Sequence, residues 1–294
     1  MNKLSPQARA KILSMLVEGM SMRAVSRIAD VSINTVTKLL VDAGIAAEAF
    51  HDMTVRNVAV KQLQADEIWA FCKAKQRNRE TMKKPSIDAG DVWTFTAMDS
   101  DTKLMVSWFS GDRDSASAHA FAKDAASRIV GPVQVNTDGF GAYANAISEQ
   151  FGWDASHAQV NKVFSSTPDK GPSRKYSPGV VVSQTKTVIF GHVDHAKIST
   201  SHVERQNLNI RMGNRRFTRL TNGFSKKLEH HSFSLAVYFF HHNFCRIQKS
   251  LRVTPAMAAG VTDELMDMGH LVRLIDLMEE PPKPRGPYKK RQPV

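Results

Sequence analysis

The sequence has only two cysteines among its 294 residues, Cys72 and Cys245, and they lie far apart with no CxxC spacing. This scarcity excludes a cysteine zinc ribbon and argues against a disulfide framework, so we expect a reducing cytoplasm. Long hydrophobic runs are also missing. The stretch "LAVYFF" is too short to span a bilayer, and the first residues lack the apolar core of a signal peptide. We therefore expect neither a membrane-inserted nor an exported protein.

Acidic residues are outnumbered by basic ones. Lys and Arg total 40 against 28 for Asp and Glu, which gives a net charge of +12 and a sequence pI of about 9.8. Such an excess favours a polyanionic partner, and nucleic acid is the first candidate. A solvated basic surface that only confers solubility is the alternative, so charge alone assigns no function.

Residues 5–43 carry the pattern of three helices separated by two short interruptions. Gly19 ends the first helix, and Ser21 and Ser32 can cap the next two. An apolar stripe on the third helix leaves four polar residues facing outward: Asn34, Thr35, Thr37 and Lys38. This pattern predicts an all-α helix-turn-helix domain over residues 1–45, whose third helix presents those side chains to the major groove of DNA. A plain three-helix bundle is the alternative.

The rest of the chain predicts an α/β domain with the element order of an RNase H-like fold. We expect a strand in "LQADEIWAF", a hairpin of "VWTFTAMD" and "LMVSWFSG", a helix in "DSASAHAFAKDAASRI", a strand in "VQVNTDG" and a helix in "GAYANAISEQF". Residues 46–60 are assigned to a linker, with a second small helical piece as the alternative, and 61–275 to the α/β domain, with a Pro-, Gly- and Ser-rich insertion at 165–200. The basic, Pro-rich residues 276–294 are expected to be a disordered tail, either a minor-groove arm or a solvated segment.

Three acids stand where such a fold would bring them together: Asp66 on the first strand, Asp138 at the end of the fourth, and Glu204 on a later helix. None has an evident cationic partner in the sequence. Gathered carboxylates repel one another, so divalent cations or protons must neutralise them. These acids therefore predict a Mg²⁺ (or Mn²⁺) site in which two ions about 3.5–4 Å apart act on a phosphodiester. The neighbouring Glu67 is expected to point to the opposite face of the strand.

The segment after Glu204 is strongly basic. Arg211 lies seven residues, or nearly two helical turns, after Glu204 and so shares its helix face. Further cations are expected to contact the phosphate backbone and make binding salt-dependent: Arg205, Arg215, Arg216, Arg219, Lys226 and Lys227. Taken alone, this segment is better explained by ion pairs that Glu204 makes within its helix.

Three stretches resemble the insertion-sequence-one family of bacterial transposases: "DEIWAF" around Asp66, "TDGFGAY" around Asp138, and "ERQNLNIRMGNRRFTRLTNGFSKKLEHH" from Glu204 onward. With the helix-turn-helix before them and "LRVTPAMAAGV" after them, the likeness covers the chain from about residue 10 to residue 275. It implies an RNase H-like enzyme of the DDE type, in which Asp66, Asp138 and Glu204 are the metal-binding catalytic acids and Arg211 is the basic residue that follows them.

The same resemblance implies an activity. Such a transposase binds the terminal inverted repeats of double-stranded DNA, cleaves them by metal-dependent phosphodiester hydrolysis, and joins the freed 3′-hydroxyl to target DNA. We therefore expect a DNA-bound homodimer or higher oligomer in the bacterial cytoplasm, associated with the nucleoid.

Two features depart from that family. Its founding members carry a cysteine-rich zinc ribbon before the helix-turn-helix, whereas no cysteine precedes Cys72 here, so end-binding is expected to rest on the helix-turn-helix and other basic surfaces. The spacing from Asp138 to Glu204, 204 − 138 = 66 positions, is also longer than in the compact members.

Three alternatives remain from the sequence. The chain could be a helix-turn-helix regulator that no longer cuts DNA, or an RNase H-like nuclease without strand transfer. A zinc hydrolase would draw on four residues of "GHVDHAKISTSHVE", namely His192, Asp194, His195 and His202. That stretch lacks an HExxH helix and has no downstream PCxxC, which argues against zinc.

Overall fold

The computed structural model describes residues 3–79, 81–84, 86–165 and 179–279. The chain begins with three helices, α1 (Pro6–Val17), α2 (Met22–Ile28) and α3 (Ile33–Thr54). As predicted, the hydroxyls of Ser21 and Ser32 cap α2 and α3, each accepting a backbone N–H at 3.1 Å. Gly19 follows α1 with a φ of +79°, a conformation that glycine adopts without strain.

Helix α3 is longer than the sequence predicted. It continues to Thr54, so most of the predicted linker at 46–60 is helical, and Ala46, Ala47 and His51 are buried. Gly44 does not end the helix; it allows close packing, because a Cβ at this position would lie 2.2 Å from Cβ of Phe233. The division of the chain into separate domains stays a prediction.

One mixed sheet contains six strands in the order β3-β2-β1-β4-β5-β6. The antiparallel neighbours β1 (Gln62–Cys72), β2 (Gly90–Asp99) and β3 (Met105–Gly111) form the predicted strand and hairpin. Strand β4 (Val133–Asp138) is parallel to β1, and β5 (Ala155–Phe164) is parallel to β4. The fold is therefore mixed α/β, as predicted.

Strand β6 (Val181–Phe190) corrects the prediction of a loop-like insertion over residues 165–200. It pairs antiparallel with β5 at the edge of the sheet. Nearly all its side chains are exposed, so the alternation of buried and exposed positions that marks most strands is missing. Residues 166–178 of the predicted insertion lie outside the described residues, as do 280–294 of the predicted tail.

The remaining helices pack against the sheet and against one another. They are α4 (Gln76–Arg79), α5 (Ser115–Ala126), α6 (Ala142–Phe151), α7 (Ser201–Gly213), α8 (Leu228–Phe240), α9 (Pro255–Ala258) and α10 (Met268–Met278). Since α10 reaches Met278, it takes up the first residues of the predicted tail at 276–294. A single hydrophobic cluster runs from α1 and α3 through β1 and β2 to α8 and α10. The N-terminal helices thus share a core with the sheet.

Candidate active site

Asp66 and Asp138 lie side by side on the two central parallel strands. In the pairing of β1 with β4, Ala65 is opposite Thr137, so the next residues of the two strands are the two aspartates. Backbone N–H groups hold both carboxylates. Glu67 donates to Oδ1 of Asp66 at 2.8 Å, and Phe140 donates to Oδ1 of Asp138 at 3.1 Å. The parallel register is therefore what joins the first two predicted acids.

Glu67 is part of this cluster, contrary to the prediction that it turns away. One carboxylate oxygen from each of Asp66, Glu67 and Asp138 lies within 4.8 Å of the others. Two buried contacts hold the Glu67 side chain: Arg113 Nε donates to Oε1 at 2.6 Å, and the hydroxyl of Tyr143 donates to Oε2 at 3.1 Å. Neighbouring residues of a strand do start on opposite faces, but the long glutamate side chain still reaches the group.

Helix α7 brings Glu204 to the same region through two contacts with β1. The Oε1 of Gln64 accepts the backbone N–H groups of His202 and Val203 at 2.9 and 3.2 Å, which fixes the first turn of the helix. One turn later, Asn207 Nδ2 donates to Oδ2 of Asp66 at 2.8 Å. Glu204 lies between these two anchors and, with Asp66, lines the cleft described below.

Glu204 has a cationic partner that the sequence did not reveal. Its Oε1 accepts hydrogen bonds from the ammonium of Lys162 on β5 and from the hydroxyl of Thr200. Asp138 also has a cation nearby, since Nη2 of Arg113 is 3.9 Å from its Oδ2. The expectation of unpartnered acids is therefore wrong for Glu204 and Asp138, and Glu204 is not one of the three acids whose oxygens lie within 4.8 Å.

The cluster carries more negative charge than its surroundings neutralise. Burial, followed by the charges of Asp138 and Glu67, raises the pKa of Asp66 to about 8. Burial also raises the pKa values of Asp138 and Glu67, although Arg113 opposes the shift in both. Such shifts mean that a proton or a cation stabilises the folded cluster.

The donor set fits a hard divalent ion. Carboxylate oxygens are the ligands that Mg²⁺ and Mn²⁺ prefer, and those of Asp66 and Asp138 open into a cleft of about 430 Å³ that Lys162 and Glu204 also line. Both oxygens of Glu67 are already held by Arg113 and Tyr143, so Asp66 and Asp138 are the better placed ligands. The acidic cluster is therefore a candidate metal site.

Other predicted site residues lie elsewhere. Arg211 is partly buried and does not line the cleft; its Nη1 approaches the carbonyl of Phe217 at 3.5 Å, and burial lowers its pKa to about 10. The histidines considered for zinc do not form a ligand cluster among the residues that the structure describes. His202, for example, contacts Nζ of Lys103 at 3.3 Å.

Some of the residues predicted to bind DNA line one groove, and the others lie outside it. Asn34, Thr37 and four cations of the later segment, Arg215, Arg216, Lys226 and Lys227, line one groove of about 800 Å³. Thr35 and Lys38 are not on its walls; the hydroxyl of Thr35 contacts Ser32, and Lys38 pairs with Asp42 at 2.5 Å. Arg205 and Arg219 are exposed on other surfaces.

Sequence reasoning missed four residues at or beside the cleft: Arg113 and Lys162 on its lining, Asn207 through its hydrogen bond to Asp66, and Glu67 through its place in the acidic cluster. Asn207 had a signal, because a residue three positions after Glu204 shares its helix face. Gln64, two residues before Asp66, shares a strand face with it. Arg113 and Lys162 had no such signal, since they come from a loop and a strand that meet the acids only in the folded chain.

Comparison with known proteins leaves the family open. No protein-family model and no curated protein matches the sequence. One similar solved structure is a cryo-EM structure of the piggyBac transposase synaptic complex with hairpin DNA, with a TM-score of 0.42 and 9% identity over 94% of this chain and 71% of that chain. At this level the likeness assigns neither fold nor activity. Among the described residues, no helix has the length and apolar character needed to cross a membrane.

Proposed function

We propose that this chain is a DDE-type DNA transposase with an RNase H-like sheet and an N-terminal helix-turn-helix. The observation that carries the proposal is the convergence of Asp66 and Asp138, from adjacent parallel strands, with Glu204 on the lining of one cleft. The resemblance of "DEIWAF", "TDGFGAY" and the long stretch from Glu204 to transposase motifs supports the same activity. The order of antiparallel hairpin and parallel strands supports the RNase H-like class.

The side chains of the cleft have separate roles in this proposal. Asp66 and Asp138 hold the divalent ion, and Asn207 fixes the orientation of Asp66 through its hydrogen bond to Oδ2. When bound, the ion polarises the phosphodiester and makes a coordinated water more acidic. Glu204 would be a further ligand of such an ion if it gave up its contact with Lys162, whose ammonium would then be available to a phosphate oxygen.

Arg113 keeps Glu67 in place. Its guanidinium carbon is 4.3 Å from the ring centroid of Phe140 and 5.0 Å from that of Trp93. The guanidinium group is therefore within cation–π distance of both aromatic rings while it binds Glu67. A fixed Arg113–Glu67 pair limits the repulsion that Glu67 exerts on Asp66 and Asp138. Glu67 is thus a positioning residue for the two aspartates.

The substrates are the terminal inverted repeats of an insertion sequence and a target duplex. Cleavage frees a 3′-hydroxyl, which then attacks target DNA; both steps are substitutions at phosphorus and use the same acids. Pairing of two ends requires at least two copies of the chain on DNA.

The test is incubation of the wild type and Glu204→Gln with labelled duplex DNA carrying the element's own ends, in Mg²⁺ or in EDTA. We expect nicked and joined strands with the wild type in Mg²⁺ only, and neither product with Glu204→Gln. The matched control is Glu149→Gln, which removes an exposed carboxylate of α6 that is outside the cleft.

The products separate the alternatives. Nicks without joined strands would identify a nuclease, and DNA binding without a metal-dependent product would identify a regulator. Activity of Glu204→Gln equal to that of Glu149→Gln would remove Glu204 from the site.

A further inference from the structure

A second concave site lies between the N-terminal helices and the segment that follows α7. One wall comes from the α1–α2 turn, α2 and the start of α3; the other comes from residues 213–238. The groove between them has a volume of about 800 Å³, compared with about 430 Å³ for the acidic cleft. Asn34 and Thr37 of α3 face this groove.

The charge of the groove has one sign. Five cations line it and no Asp or Glu does; the cations are Arg23, Arg215, Arg216, Lys226 and Lys227. None of the five has a carboxylate within 4.0 Å in the described parts of the chain. By contrast, two buried arginines elsewhere are paired: Arg9 with Asp276 at 2.7 Å, and Arg128 with Asp124 at 2.8 Å. Five unpaired cations on one concave surface favour an anionic ligand.

Arg216 is the clearest case. Its Nη1 donates to the hydroxyl of Ser225 at 2.9 Å, and its Nη2 is 3.1 Å from the sulfur of Met22, so its partners are neutral. Burial lowers the pKa of this guanidinium to about 10. Holding a cation in a partly desolvated position without a counter-charge costs stability, which a bound anion would recover.

Neighbouring histidines report the same positive potential. Burial is the largest cause that lowers the pKa values of His230 and His231, and the positive charge of Arg216 is the second largest for both. The charge of Lys227 also lowers the pKa of His230. The pKa of His231 falls to about 3, so it stays neutral and adds no charge. The lining is therefore cationic because of its arginines and lysines.

The two walls are held at a fixed distance by backbone packing at glycines. A Cβ on Gly19 would lie 2.3 Å from the carbonyl oxygen of Met212, and one on Gly213 would lie 3.0 Å from the carbonyl oxygen of Val17. The α1–α2 turn thus touches the end of α7 directly. A groove held in this way is formed before the ligand arrives, which reduces the entropy lost on binding.

We infer that this groove binds the phosphate backbone of one strand of DNA, with Arg215, Arg216, Lys226 and Lys227 on the phosphates. Asn34 and Thr37 then face the bound strand from the opposite wall, as side chains that hydrogen-bond to base edges or sugars. In this arrangement the third helix of the helix-turn-helix and the basic residues on the opposite wall bind the same DNA strand. The inference rests on the proposed function only in taking DNA as the polyanion.

The experiment measures binding of a fluorescently labelled duplex of 30 base pairs in EDTA, by anisotropy, over a series of KCl concentrations. Lys226→Ala/Lys227→Ala is compared with Lys123→Ala/Lys249→Ala, which removes the same charge from exposed lysines outside the groove. The groove variant should bind roughly tenfold more weakly at low salt, and the slope of log K against log[KCl] should fall by about 2. The control should keep the wild-type slope.

Equal slopes for the two double variants would overturn the inference, as would tighter binding of RNA of the same sequence through the same lysines. Asn34→Ala/Thr37→Ala provides a second measurement and is expected to weaken binding without changing the salt slope, because neither side chain is charged. Since metal is absent, a failure of the cleavage chemistry leaves these results unaffected, and a failure of the groove leaves the Glu204→Gln assay interpretable.

Discussion

The acidic cleft and the basic groove have opposite charge and differ in how that charge is balanced. In the cleft, Arg113 and Lys162 partly neutralise Glu67 and Glu204, while no cation lies within 4.0 Å of the Asp66 carboxylate in the described parts of the chain, and its pKa rises to about 8. In the groove, the hydrogen-bond partners of the Arg216 guanidinium among the described residues are a hydroxyl and a thioether, and no lining residue is acidic. The cleft holds its charge in a compact cluster, which suits a small ion; the groove spreads its charge along two walls, which suits a polymer.

Elsewhere in the molecule, two buried arginines are balanced by partners of opposite charge. Arg128 binds Asp52 and Asp124, each at 2.8 Å, and joins the end of α5 to α3. Arg9 similarly joins α1 to α10 through Asp276. Where charges stabilise the fold they are paired within the chain. The cleft and the groove each leave part of their charge available for a ligand.

The largest expected effect separates the two regions by function. Asp138→Asn should reduce metal-dependent DNA cleavage by ~10⁴-fold, because it removes a ligand that acts in the chemical step. DNA affinity in EDTA should stay at the wild-type value, since the groove is intact. Gel assays of cleavage and anisotropy on one preparation give both numbers, with the exposed Asp263→Asn as the matched control. Persistent cleavage would show that the acids are wrongly assigned.

An intermediate effect concerns stability against pH without metal. The folded pKa of Asp66 is about 8, above its ordinary value of 3.8, so the folded chain holds a proton that the unfolded chain has released. Stability from this group is complete below pH 4 and is lost as pH rises through 8, by at most ~1.4 kcal/mol per pH unit. From pH 7 to pH 8, urea unfolding in EDTA should show a decline in stability that Asp66→Asn removes; above about pH 8 the carboxyl is ionised in both states and its contribution stops changing.

Adding Mg²⁺ should reverse that decline, because the ion replaces the proton. The comparison between wild type and Asp66→Asn isolates the group from the buried histidines, whose pKa values near 3 and 4 place their effect at lower pH. A decline of equal size in both proteins would assign it to another group.

The smallest expected effect on the fold concerns the groove. Arg216→Met removes a cation without an acidic partner, so thermal unfolding should occur at the same temperature or a few degrees higher, while DNA affinity falls. Arg128→Met is the contrasting variant, since it removes a buried guanidinium that bridges Asp52 and Asp124, and it should lower the temperature of unfolding. Similar losses of stability in both variants would mean that Arg216 has a structural role.

Much of the fold follows from local sequence patterns. The caps at Ser21 and Ser32, the strands that carry Asp66 and Asp138, and the helix that carries Glu204 depend on short-range chemistry, which the sequence displays directly. The end of α3 was placed too early, because Gly44 lies inside the helix, where it allows close contact with Phe233. Strand β6 was missed because its exposed side chains follow no apolar alternation.

The candidate site was predictable where strand order by itself brings residues together. Asp66 and Asp138 could be paired from strand order alone, whereas the contact of Lys162 with Glu204 depends on β5 passing next to α7. The error over Glu67 has the same origin. Strand alternation gives the direction of its Cβ, but the position of its carboxylate is decided by Arg113 and Tyr143, residues distant in sequence.

The length of helix α3 determines which way Asn34 faces relative to the sheet. The helix runs without a break for 22 residues, about 33 Å. Near its start Asn34 lies on the groove wall, and near its end Nε2 of His51 is 3.0 Å from the carbonyl oxygen of Val106 on β3. One residue inserted between Gly44 and His51 would rotate Asn34 by about 100° around the helix axis, away from the groove. Insertions or deletions in this part of the helix preserve the orientation of Asn34 only when their length is close to a whole number of helical turns. The length of this stretch is therefore constrained, unlike that of a flexible linker.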